Sequence, residues 1–176
     1  MKISTRQIAL AGILSAVTLA ISAIGVGFIP IPSLAGAATI MHVPVIIAGG
    51  ISGILVGGFT GLIFGFFSFI QFGSIVGSNP IILFLPRILI GIVAAAVFRS
   101  LSKRNLILAG ALAGAAGTLT NTIGVLGLAM AFGYFTPSQV IGVIAANLPL
   151  ELFLGTASAA LILPPLYRFM EKKRGI

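Results

Sequence analysis

From Gln7 to Pro86 the chain carries no Asp, Glu, Lys or Arg. A soluble domain carries charge at about every fourth residue, so this stretch has no side to turn towards water. The rest is scarcely more polar. Hydrophobic residues make up 59% of the chain and charged residues 7%, with a mean hydropathy of +1.24. The solvent is lipid, and the expected fold class is an all-α membrane protein, since a helix satisfies its own backbone polar groups in hydrocarbon.

A helix needs about 20 apolar residues to cross a bilayer. Pro30-Ile31-Pro32-Ser33 and the stretch from Gly73 to Pro80 break the uncharged region. The run between these breaks is too long for one crossing, and Gly49, Gly50 and Gly53 offer a tight turn inside it. Two more runs follow Arg99, Lys103 and Arg104. They are parted by Gly133-Tyr134-Phe135-Thr136-Pro137-Ser138, where Thr136 or Ser138 can cap the last helix. The reading is one domain, 1–176, holding a bundle of six transmembrane helices at roughly 7–28, 37–50, 53–72, 81–98, 105–132 and 138–167.

Charge placement tests that count. Basic residues cluster as Lys2/Arg6, Arg99/Lys103/Arg104 and Arg168/Lys172/Lys173/Arg174, and such clusters stay cytoplasmic. Four spans and then two put all three on one side, with both termini cytoplasmic. The run from Ile8 to Ile29 exceeds the apolar core of a signal peptide, so it is read as helix 1. The net charge of +8 marks topology, not nucleic acid, because it sits at the ends of apolar runs.

The composition also narrows the chemistry. There is no cysteine, one histidine and two acidic residues, which speaks against a disulfide, a multi-ligand metal site or a bound cofactor. No nucleophile stands beside a base, so an enzyme is not expected. No Walker motif is present, so any ATP-driven motor belongs to another chain.

Polar groups inside a membrane need a partner or a wet cavity. On the six-helix map Arg87 lies about 9 Å from the outer end of its helix, at 1.5 Å per residue. Asn147 and Glu151, four apart on one helix face, lie about one-third to two-thirds of the way through theirs. Asn121 shares a face with Thr118 and Thr122, Thr39 and His42 stand near the outer end of helix 2, and Gln71 and Asn79 flank an outer loop. The inner half has almost none. This pattern reads as a pocket open to the outside, in which Arg87 suits a carboxylate. A structural ion pair between Arg87 and Glu151 is the competing reading. The loop 30–38 is a candidate gate. Gly12, Ala16 and Ala20 form a small-residue stripe along which another helix can approach.

Three pieces carry a family likeness. The first runs from Ala38-Thr39-Ile40-Met41-His42-Val43-Pro44-Val45 into Gly57-Gly58-Phe59-Thr60-Gly61. The second is Leu85-Pro86-Arg87-Ile88-Leu89-Ile90-Gly91; the third pairs Gly117 to Thr122 with Asn147 to Glu151. In succession they resemble the substrate-binding S components of energy-coupling factor (ECF) vitamin transporters, over essentially the whole chain. The resemblance implies a multi-pass protein of the bacterial plasma membrane that binds a vitamin at its outward side. It also implies partners: a transmembrane T component, docked at Gly12, Ala16 and Ala20, and two ATPase subunits. Within the family the pieces look most like the pantothenate-type branch, with riboflavin, pyridoxine-type and other small solutes left open. Substrate-binding residues are then expected at Thr39, His42, Asn79, Arg87, Asn121, Asn147 and Glu151. A proton-coupled secondary transporter using Glu151 and His42 is the alternative. It is disfavoured because no titratable group lies towards the inner half and no inverted repeat is evident.

Overall fold

Ser4 opens the first helix. Its hydroxyl accepts the Gln7 N–H at 3.3 Å while Gln7 Oε1 accepts the Ser4 N–H at 3.0 Å. This reciprocal cap starts α1, Thr5–Ala23. The computed structural model describes residues 4–34 and 36–172.

Beyond α1 the backbone doubles back. Strand β1, Phe28–Pro30, pairs antiparallel with β2, Ala37–Thr39, with Ile29 opposite Ala38. The expected helix 37–50 therefore begins later, as α2, Val43–Ser52. Pro44 accounts for the difference. In a helix begun at 37 it would deprive the Ile40 carbonyl of its donor, whereas in the first turn its missing N–H costs nothing.

Gly49 and Gly50 stay within α2, and the turn falls at Gly53, whose φ of +90° suits glycine. Helix α3, Ile54–Phe72, runs into a 3-10 turn at Gly73–Val76. Helix α4, Pro80–Leu101, is capped by Asn79, which accepts from the Ile81 N–H. Helix α5, Leu106–Ala131, is capped by Asn105. Thr136 and Gln139 exchange cap bonds at the start of α6, Pro137–Lys172.

The architecture is an all-α bundle of about six helices, five of which (α1 and α3 to α6) are long and apolar enough to cross a membrane. Helix α2 has 10 residues, about 15 Å, half of a hydrocarbon core of about 30 Å. The hairpin supplies the rest of that passage. Its inner strand turns Ala38 into the bundle at 0% exposure while the tip around Leu34 is exposed, and Met41 and His42, which follow it, are buried. Irregular backbone survives at membrane depth only when protein covers it.

Helices α2, α3 and α4 cross at backbone contact, where a Cβ on Gly49 or Gly57 would strike the Gly91 carbonyl. Helix α6 packs antiparallel on α5, with Gly110 against Ala159 and Gly114 against Gly155. Gln7 Nε2 donates to the Ser52 carbonyl and the Arg99 guanidinium lies beside Gly53. One end of the bundle thus collects Arg6, Arg99, Lys103, Arg104 and Arg168. Lys2, Lys173 and Arg174 lie outside the described residues.

Candidate functional site

Pro86 sits inside α4 and has no N–H to give the Ile82 carbonyl four residues earlier. Arg87 supplies the missing donor: its Nη1 reaches back to the Ile82 oxygen at 3.1 Å. The Phe64 ring of α3 lies 5.6 Å from the guanidinium carbon, a cation–π contact in a water-poor site. With Nη1 engaged and Nε lacking any partner, the guanidinium keeps its Nε/Nη2 edge open. That edge is a two-pronged fork of the spacing a carboxylate fits.

Asn147 and Glu151 face β2 from α6. Asn147 Nδ2 donates to the Ala37 carbonyl at 2.7 Å, and Glu151 Oε1 accepts the Thr39 N–H at 2.8 Å. Alternate residues of a strand are thus held by one face of a helix. Glu151 Oε2 accepts the Thr122 hydroxyl of α5 at 2.8 Å. Among the described residues no hydrogen bond joins Glu151 to Arg87. Each charge has its own partners, and the two face one cavity.

That cavity holds about 140 Å³. Thr39, Arg87, Asn121, Asn147 and Glu151 line it, joined by Thr122 and Ser68 and by an apolar wall that includes Phe28, Met41, Phe64, Phe72 and Phe135. Thr122 lies sixteen residues into α5, about 24 Å along an axis of about 39 Å. The polar belt is therefore closer to mid-depth than to either end.

Nine buried side-chain polar atoms among the described residues lack a hydrogen-bond partner, and five belong to residues lining this cavity: Thr39 Oγ1, Ser68 Oγ, Arg87 Nε, Asn121 Oδ1 and Asn147 Oδ1. An unpaired buried polar atom costs about 1–3 kcal/mol, so their gathering at one void marks a place prepared for something polar.

Two of the seven expected residues lie off the cavity. Asn79 is spent on the α4 cap. His42 lies beneath, where its Nε2 and Thr118 Oγ1 are 2.9 Å apart. The Thr118 hydroxyl gives its proton to the Gly114 carbonyl at 2.9 Å, so His42 Nε2 is the donor in this pair. Gly155 makes the room, since a Cβ there would strike Thr118 Oγ1.

Sequence reasoning missed Ser68 and the aromatic wall; the hairpin enters the cavity at Thr39, which was expected, and at Phe28 and Ala37, which were not. Ser68 and Phe64, four apart on α3, offered one signal: they share a helix face.

On α1 the buried residues are Ala11, Ser15, Thr18 and Ser22. Gly12, Ala16 and Ala20 are exposed, and nothing lies within 4 Å of a Cβ placed on Gly12. The small-residue stripe therefore takes no part in packing the bundle.

A membrane-embedded helical bundle with a half-deep polar cavity is built as a solute-binding subunit. A family model described as "ECF transporter, substrate-specific component" matches residues 6–169. The chain belongs to this family, whose members are multi-pass transport subunits that bind substrate and are not catalytic enzymes. ECF transporters function in the membrane with T and ATPase components. A search of the curated proteins found no match.

Proposed function

We propose that this S component captures a small carboxylate-bearing vitamin, most of all pantothenate, in the cavity between the hairpin, α3, α4, α5 and α6. The observation that carries the reading is the open Nε/Nη2 edge of Arg87 on a cavity with five unpaired polar atoms. Arg87 takes the carboxylate, and Asn121, Asn147, Thr39 and Glu151 face the hydroxyl and amide groups. At about 140 Å³ the cavity is close in size to one that holds benzene, so any vitamin enters only as the hairpin gives way, and pantothenate asks for less of that movement than a three-ring flavin.

In this reading the basic end faces the cytoplasm and the cavity loads from the opposite side. The exposed stripe Gly12, Ala16 and Ala20 is the seat of the T component, through which two ATPase subunits drive delivery. Native mass spectrometry of the purified chain tests the substrate, with a vitamin panel in a thermal-shift assay beside it. One pantothenate per chain supports the reading. Exclusive retention of a vitamin without a carboxylate overturns the role of Arg87.

A further inference from the structure

Hydroxyls inside helices normally close onto the carbonyl four residues back. Thr18, Ser22, Thr60, Thr118 and Thr120 all do so here. Ser68 does not. It is 0% exposed, its Oγ has no partner, and it lines the cavity.

Its level in the bundle is set by the α3–α4 packing. A Cβ on Gly65 would touch Phe84 and the Leu83 carbonyl, so Ser68, three residues on in this antiparallel pair, lies near the level of Pro80, about 3 Å along the axis from Ile82. The Arg87 guanidinium is tied to the Ile82 carbonyl and lies over Phe64, one turn from Ser68 on the same face of α3. Two unpaired donors, Ser68 Oγ and Arg87 Nε, are therefore brought to one wall.

We propose that Ser68 is a further ligand-binding residue, whose hydroxyl donates to the same carboxylate that Arg87 holds. The assignment rests on the carboxylate-vitamin reading above and adds a specificity-determining residue to it. An aliphatic wall at 68 would leave one carboxylate oxygen half-satisfied in a dry site. A hydroxyl there favours an acid over the matching alcohol beyond what the guanidinium does alone.

The experiment compares wild type, Ser68→Ala and Ser15→Ala in lipid nanodiscs. Ser15 carries another buried, unpaired hydroxyl, on α1 and away from the cavity. The probes are pantothenate and pantothenol, in which a hydroxymethyl group replaces the carboxylate. Ser68→Ala is expected to weaken pantothenate about ten- to a hundredfold, the worth of one hydrogen bond to a charged group, and to leave pantothenol and the Ser15→Ala control unchanged. Equal loss for both probes, or no loss, overturns the assignment and leaves the substrate reading standing. If wild type binds neither probe, the substrate reading fails and ligand-free stability decides Ser68. Removing a partnerless hydroxyl leaves Tm the same or higher; a lower Tm shows that the protein already holds the hydroxyl, and the assignment falls.

Discussion

Replacing Arg87 by alanine separates a binding cation from a structural one. The open edge of the guanidinium can make two charge-assisted hydrogen bonds to a carboxylate, each worth about 1.5–3 kcal/mol. Their joint loss is then about 3–6 kcal/mol, or two to four powers of ten in Kd. Glu151 stays behind in the lining of the same cavity, with no cation left there to offset it. The assay is calorimetric titration of pantothenate into Arg87→Ala and Arg87→Lys in nanodiscs, with pantothenol as the uncharged reference. Lysine keeps the charge but cannot both hold the Ile82 carbonyl and present a fork, so it should fall between wild type and alanine. Pantothenol should lose little in either variant. A folded Arg87→Ala chain that binds pantothenate within threefold of wild type refutes the reasoning and returns Arg87 to a purely structural role.

Other perturbations reach the same machinery from different sides. Pro86→Ala restores a backbone donor to the Ile82 carbonyl and releases Arg87 Nη1; pantothenate affinity should fall several-fold although the helix itself gains stability, read by titration and Tm together. Gly155→Ala drives a methyl group into Thr118 Oγ1 and towards His42 Nε2, and should cost about 1–3 kcal/mol of stability as overpacking does; an unchanged Tm would show that α6 can slide to make room. Gly12→Leu or Ala16→Leu should leave vitamin binding intact and abolish co-purification with a T component. Survival of both assembly and uptake removes α1 as the docking face.

Much of the fold was legible because lipid leaves so few options. The uncharged stretch to Pro86, the breaks at Pro30–Ser33 and Gly73–Pro80, and the cap at Thr136 are local signals, and five long helices follow from them. Residues 37–42 were misread because an apolar run does not say whether its backbone is helical. The correcting sign was Pro44, which belongs in a first turn and not eight residues into a helix. The cavity was legible where a side chain is too costly to bury without cause, as at Arg87, Asn147 and Glu151. It was opaque at Ser68 and Phe64, because serine and phenylalanine are commonplace in a membrane helix. Asn79 was expected in the site and instead caps α4 through its bond to the Ile81 N–H, the local role that a residue ahead of a proline can take.

The packing below the cavity bears on the route a solute can take. Between the polar belt and the basic end, Ile46, Ile90, Ala94, Phe98, Ala113 and Leu163 are all fully buried, and the Gly49, Gly57 and Gly91 backbones are in contact. Residues 43–52, 54–63, 88–98, 106–120 and 152–167 contain no Asp, Glu, His, Lys or Arg. Below the His42–Thr118 pair a proton relay or hydrated pathway has no titratable side chain to stand on. Opening one within the chain would mean parting helices held at backbone distance, which a close-packed interior resists. The hairpin is different, since Asn147 and Glu151 hold it to α6 through hydrogen bonds to Ala37 and Thr39 that a competing ligand group can replace. In the function proposed above, loading and release both pass by the hairpin, and delivery moves the whole subunit against its T component with its closed lower half intact.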